Sequence, residues 1–521
     1  MRKPGSRYPI RIGGRRALTL LLLLPVLAVL PGCSLDENPT SVITPDNYFQ
    51  NEDEVIAGLA QVYGGLRQTM WSYYNLSEVS TDEMVVPTRG SDWFDNGRWL
   101  EIHQQSFTAN SPSGLEDING AWNDFFGGVA DANVVLAGLE NVTLSDGPTY
   151  VAELRTLRAL YYYLLMDFFG GVPIATDPAI EARPRATRAE LFNFLEQELL
   201  AARPDLPTSW SANYQGRMTQ GAVDALLASM YLNAEVFTGT VTTSGLQRGQ
   251  ARWQDAIDAA ERLINSGVYS LETDWTHNFA PDNYTSPELI LVAKFLNQSG
   301  LGNTFPMRAL HYNQLAPAPW NGFSTLAETY FKFDLQDDER TEIFLVGQQK
   351  SYDTGEDVND RQGNPLVYTP EIGDVTQAAE NEGVRIVKWP PDPNRVQEHS
   401  SNDVAYFRLG EMYLIAAEAY NELGNISEAV NLVNTIRARV FDPDKPLNAA
   451  DYTQETLRDR ILLERLFELT AESKRRQDLV RHDQFTDPWE FKPQTEAYKI
   501  LFPIPQTQLD TNPELVQNPG Y

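Results

Sequence analysis

Nine stretches of this chain repeat apolar residues at three- and four-residue steps, and that rhythm restricts the chain to folds made by stacking helices. In 52–67 the repeat runs Val55, Ile56, Leu59, Val62, Tyr63 and Leu66, one stripe down a 3.6-residue turn. The pattern recurs in 118–139, 150–169, 188–202, 219–237, 253–264, 404–423, 427–440 and 454–480. Each stripe predicts a helix whose apolar face is core. Two long stretches break the rhythm: 72–115, and 268–402, which is rich in Pro, Gly, Asn and Asp and has short β-like runs at 289–295 and 384–389. Loops of that length inside a folded chain are more often functional than idle.

Several of the predicted helices come in pairs. Leu414 to Tyr420 is followed by Leu423-Gly424-Asn425 and then by Glu428 to Asn431. Small residues (Ala416, Ala419, Ala429) let two helices approach closely, and Gly424 ends the first. This resembles a tetratricopeptide hairpin. The fold expected is mainly α: a helical-hairpin repeat scaffold over about 45–267 and 403–482, carrying a loop-rich lobe over about 268–402 together with the 72–115 loop. The composition allows a large core, being 42% apolar and 11% aromatic.

The 41 Lys+Arg against 71 Asp+Glu leave a formal charge of −30, which argues against nucleic acid as a partner. A single cysteine excludes a disulfide framework or a thiolate metal cage. The five histidines (His103, His277, His311, His399, His482) form no His-Glu-x-x-His arrangement.

The first residues read as an address. Arg2 to Arg16 is basic, and 17–30 is an apolar run broken only by Thr19 and Pro25, too short for a membrane-spanning helix. Leu30-Pro31-Gly32-Cys33 resembles the bacterial lipobox. Residues 1–32 are therefore expected to be a lipoprotein signal and Cys33 the lipidated first residue of a single body, 33–521. Stable anchoring takes more than one acyl chain.

The motifs beyond this point resemble those of the SusD/RagB family. Leu157-Arg158-Ala159-Leu160-Tyr161-Tyr162-Tyr163-Leu164 followed by Asp167-Phe168-Phe169-Gly170-Gly171-Val172-Pro173 is similar to one family helix, and Gly216-Arg217-Met218-Thr219-Gln220-Gly221-Ala222 to the next repeat. Arg408 to Ala419, Asn434 to Arg439, and Glu464, Arg465, Glu468, Leu469, Glu472, Arg475, Asp478, Leu479 and Arg481 resemble its C-terminal signature. Leu501-Phe502-Pro503-Ile504-Pro505 and the terminal Gln517-Asn518-Pro519-Gly520-Tyr521 complete the series. Ser473 stands where the family favours Gly, and Arg476 where it favours an aromatic.

The resemblance implies a surface lipoprotein of the outer membrane of Bacteroidota-type bacteria. Such a protein binds oligosaccharides without cleaving them and delivers them to a SusC-like TonB-dependent transporter. The alternative, from the RagB branch, is a binder of peptides or another nutrient. Sugar capture asks for aromatic faces against which pyranose C–H groups pack, with polar side chains at the rim. In the 72–115 loop the candidates are Tyr73, Tyr74, Asp82, Arg89, Trp93, Asn96 and Trp99; in the second lobe they are Trp320 and Asn321, within Pro-Trp-Asn-Gly, with Trp275, Tyr284 and Tyr312 behind them.

Enzyme readings find little support. With 71 acids, carboxylate pairs arise everywhere. Asp334, Asp337 and Asp338 near Arg340 read as a loop cap, and Arg460/Glu464 and Glu472/Arg476 as pairs along a helix. There is no Gly-x-Ser-x-Gly, phosphate loop or Gly-x-Gly-x-x-Gly. Arg361 stands at a ligand position of the calcium-loop-like run from Asp353 to Gly363. The expectation is no catalytic residue, no metal ligand and no cofactor, with an incidental Ca²⁺ on an acidic loop left open.

Overall fold

The computed structural model describes residues 49–140, 142–211 and 214–521; the leader and Cys33 lie outside them. Among the described residues, ten α-helices have seven residues or more: α1 Glu52–Val79, α2 Asn119–Leu139, α3 Gly147–Phe169, α4 Arg188–Ala202, α5 Gln220–Leu232, α6 Trp253–Ile264, α7 Leu409–Glu422, α8 Ile426–Arg437, α9 Gln454–Leu469 and α10 Arg475–Arg481. Successive helices are mostly spatial neighbours: α1 on α2, α2 on α3, α3 on α4, α5 on α6, α7 on α8. That is the packing of a hairpin array. Four of the ten N-termini, those of α1, α4, α5 and α9, are capped by side chains. Asn51 accepts from the Glu54 amide (3.1 Å), Thr219 from Ala222 (3.1 Å), and Thr187 and Glu190 form a capping box, each cap stabilising its helix by about 1 kcal/mol.

The expected helices 188–202 and 253–264 have those bounds. The Tyr161–Tyr163 cluster is core, with each hydroxyl bonded to a carbonyl or side chain. Three expectations need correction. The first helix runs on to Val79, so Tyr73 and Tyr74 are helical and interior, not loop residues. Residues 404–408 are a strand, buried at every position, so no alternation of polarity distinguished it from a buried helix. It pairs antiparallel with Leu289–Ala293. The 454–480 stripe is two helices, because Ala471 and Ser473 adopt left-handed backbone (φ 65° and 64°) between them. A positive φ is the conformation glycine adopts most readily, so this turn holds Ser473 where glycine would fit without strain.

The loop-rich stretch 268–402 is joined to the helices by a buried charge cluster. Arg408, at the end of its strand, reaches Glu288 (2.8 Å), Glu468 (2.6 Å) and Glu472 (2.7 Å). Arg439 pairs with Glu288 and Glu468, both at 2.5 Å; Arg340 with Asp338 (2.8 Å) and Glu464 (2.9 Å); Lys388 with Glu472 (2.5 Å). Arg437 and Arg460 complete the shell of Glu464. Six cations thus meet five carboxylates, nearly all out of water. The Arg460/Glu464 pair expected along the helix is part of this cluster. The Glu472/Arg476 pair is replaced, Glu472 turning to Arg408 and Lys388 and Arg476 to Asp167 (2.9 Å). Asp338 caps the turn at Arg340, accepting its amide at 3.0 Å.

Burial alone would raise the Glu468 carboxyl, but the guanidiniums of Arg439, Arg408 and Arg340 hold it well below the usual carboxylate range. Another buried pair goes the other way. Glu78 and Glu83 are neighbouring buried carboxyls; burial and then the neighbouring charge push Glu78 up, and burial pushes Glu83 up to about 7. The two accept the amides of Ser473 and Ala471, the Ala471 bond at 2.9 Å.

Two predictions follow from these opposed groups. Glu468→Ala takes one carboxylate from each of three buried guanidiniums and should cost about 3–5 kcal/mol in denaturant unfolding; a loss under 1 kcal/mol would contradict the cluster's role. A carboxyl raised in the folded state stabilises most below its unfolded value of 4.5, and its contribution disappears as pH climbs through about 7. Unfolding measured across that window should therefore show stability falling with pH, less steeply in Glu83→Gln; equal slopes would show that the pair holds no proton.

Candidate functional site

Helix α1 offers one face to solvent at Gln68, Trp71, Ser72 and Asn75, spaced three and four residues apart. Glu116, Asp117, Gly120 and Asp124, on the π-turn Gly114–Ile118 and the first turns of α2, form the other wall. Between them lies a cleft of about 380 Å³. Ser72 Oγ donates to Asp124 across it, and burial raises the Asp124 carboxyl against that hydrogen bond. Asp117 takes Arg98 Nη1 on one oxygen (3.1 Å), while its other oxygen is buried without a partner among the described residues. Burial, opposed by Arg98, pushes the Asp117 carboxyl up to about 6.

Beside the cleft stand the rings of Trp71 and Trp320, 6.4 Å apart at 32° and both half-buried. Trp320 comes from the second lobe. Its amide donates to Met307 O (2.6 Å), and its ring rests on the cluster of Met307, Leu310, Leu315 and Val387. Trp93 Nε1 donates to Trp320 O (2.6 Å), and the Trp93 ring meets Trp99 and Phe323 edge-on. The intervening loop is strained: Trp93, Asp95 and Asn96 all have positive φ (63°, 37° and 57°). Such strain collects at functional sites. Asn96 and Phe94 are exposed there, and Arg98 ties the loop to the cleft through Glu116 (3.1 Å) as well as Asp117.

Three of the nine residues expected at the site are therefore at the surface: Trp93, Trp320 and Asn96. The other six are interior, which corrects the expectation that they meet ligand. Tyr73 donates to Ser473 O (2.9 Å), and Tyr74 packs on Phe305 with ring centroids 4.3 Å apart. Asp82 forms a two-point pair with Arg475 (2.7 and 2.8 Å) and takes Lys332 (3.1 Å). Arg89 donates to the carbonyls of Asn321 (3.1 Å), Gly322 (2.9 Å) and Glu382 (2.8 Å). Asn321, at φ 50°, donates to Glu380 O and accepts from Arg385. Trp99 is 3% exposed, its indole nitrogen on Asp95. Each of these side chains is taken up by interior partners rather than by solvent. Trp275 is interior as well, donating to Glu468 (3.0 Å); Tyr284 is exposed; and Tyr312 donates to Asp92 (2.5 Å). In the calcium-like run, Asp353 pairs with Arg395 and Asp357 with Lys350.

Trp71 and the acidic wall were missed. Their signal was available: extending the 52–67 stripe by three more turns puts Trp71 and Asn75 on the polar face of α1.

Comparison with known proteins places this architecture. A model of the SusD family matches residues 265–492 and 483–521, and one described as starch-binding associating with outer membrane matches 35–232. The chain belongs to the SusD family. It is 25% identical over 509 residues to the starch-binding protein SusD of Bacteroides thetaiotaomicron, covering 86% of this chain and 85% of that one. It is 22% identical over 538 residues to SusD-like protein P25 of Formosa agariphila, covering 94% and 96%. Among solved structures, the surface glycan-binding protein A of Bacteroides thetaiotaomicron in complex with laminarihexaose superposes with a TM-score of 0.70 at 20% identity, covering 90% of this chain and 99% of that one. Members of the SusD family are binding proteins, not enzymes, and so is this chain.

The Trp93 ring lies against Gly322, where an added Cβ would fall inside the indole. Gly322→Ala should displace the ring at a cost of about 1–3 kcal/mol and shift the tryptophan emission; unchanged emission and stability would mean that the loop does not rest on that glycine.

Proposed function

We propose that this chain captures oligosaccharides at the Trp71–Trp320 rings and the adjoining cleft, as a lipoprotein held at the cell surface through Cys33, and passes them to a SusC-like TonB-dependent transporter in the outer membrane. The observation that carries the reading is the pair of half-exposed indoles, donated by two different parts of the fold and set beside a polar cleft. Pyranose rings pack their C–H faces on such indoles. Their hydroxyls can donate to the oxygens of Asp117, Glu116 and Asp124 and accept from Gln68. Asn96 and Phe94 lie within the same strained loop and extend the rim. The relatives' names point the same way, as does the family description with its reference to the outer membrane. No helix among the described residues is long and apolar enough to cross a membrane.

A peptide binder would instead use main-chain partners along an extended groove. Calorimetry against a panel of starch- and laminarin-type oligosaccharides and mixed peptides separates the two readings. Trp71→Ala and Trp320→Ala should each weaken oligosaccharide binding about tenfold or more, roughly 1.4 kcal/mol, with the helical circular dichroism unchanged. Binding of peptides alone, or unchanged sugar affinity in both variants, would overturn the proposal.

A further inference from the structure

Beneath the Trp71 ring lies a guanidinium with no counter-charge. Arg308 is buried, its Cζ 3.3 Å from the Trp71 ring centroid and within 5.2 Å of the rings of Tyr74, Phe305 and Phe323. Its one side-chain hydrogen bond runs from Nη1 to Asn75 Oδ1 (2.8 Å). Nε and Nη2 have no acceptor among the described residues. The other deeply buried arginines differ: Arg340, Arg408 and Arg476 each hold carboxylates, and Arg89 and Arg385 spread their charge over several oxygens. The Tyr74 phenol beside Arg308 is kept un-ionised by burial, and Lys388, the other cation of the surrounding wall, is already held by Glu472 and the Thr470 carbonyl.

Arg308 lines a small cavity of about 20 Å³. That is room for one particle the size of a water molecule or slightly larger. Two other residues of its wall also carry buried polar atoms without partners: Trp389 Nε1 and Thr325 Oγ1. Guanidinium and indole nitrogens only donate, and the hydroxyl is free to do so. Four donor atoms on three residues of this wall are thus without a protein partner, two of them on a charged guanidinium. A water molecule would accept two of these hydrogen bonds, would aim its own hydrogens at the rings, and would leave the charge uncompensated. A spherical monoanion accepts from all the donors and neutralises the guanidinium.

We propose that this cavity is a binding site for a halide ion, chloride in solution, held by Arg308, Trp389 and Thr325 under the aromatic face. The protein's net charge of −30 discourages anions elsewhere on its surface, so occupancy should be specific to these donors. The ion would fix the Arg308 side chain and with it the seat of Trp71.

Crystals of the wild-type protein soaked in bromide provide the direct test. Anomalous density in the cavity is expected; density at surface arginines only, or a water there with no bromide signal, would overturn the proposal. In parallel, replacing chloride by gluconate at fixed ionic strength should lower the melting temperature by a few degrees, and Arg308→Met should abolish that response. Equal melting temperatures in the two salts would overturn it. Because Arg308→Met can fail to fold, Thr325→Val serves as the second variant: it should fold and show a reduced chloride response, and a full response would argue against the assigned donors.

Discussion

Buried ion pairs join the loop-rich lobe to the helices, and the candidate site lies across that junction. The buried cluster around Glu288, Glu464, Glu468 and Glu472 takes its cations from the strand end (Arg408), α8 and the turn after it (Arg437, Arg439), α9 (Arg460) and the loop-rich lobe (Arg340, Lys388). Removing charges from water costs several kcal/mol per ion, so such a cluster adds little net stability over a packed apolar core. What it does is penalise every arrangement in which one partner is missing. A lobe with so little regular structure has few other means of fixing its place on the helices.

The cluster reaches the candidate site through one turn. The segment between α9 and α10 carries Glu472 into the cluster and offers its left-handed amides, at Ala471 and Ser473, to Glu83 and Glu78 at the end of α1. Tyr73 donates to Ser473 O, and Asp82 grips Arg475 from the same end. Trp71 and Asn75 sit one to two turns back along that helix. From the other side, Arg308 spans Asn75 and Trp71, and its backbone carbonyl accepts the amides of Gly322 and Phe323, just past Trp320. The two indoles are thus set against each other by interior polar contacts rather than by each other.

The sequence made the scaffold legible because helical stripes carry their own period. Where the period was misread, a specific residue explains it. Ala471 and Ser473 break a helix without glycine or proline, and 404–408 is buried on both faces and so lacks alternation. At the site, composition pointed to the right regions but could not separate a ring facing solvent from one under a loop. Trp93 and Trp320 are at the surface, whereas Trp99 is not, although Trp93 and Trp99 lie six residues apart in the same polar stretch. Both rings meet Phe323, and Trp93 also lies on Gly322, partners far away in the chain that no local pattern reports. Trp71 escaped notice for the opposite reason: it lies on a regular helix, where an aromatic residue reads as core.

The account stands or falls on where a sugar rests. A crystal structure with a bound laminarin- or starch-type oligosaccharide should show an intact chain of pyranose rings against Trp71 and Trp320, with hydroxyls directed at Asp117 and its neighbours. Density for sugar on a different face, with both indoles left bare, would contradict it.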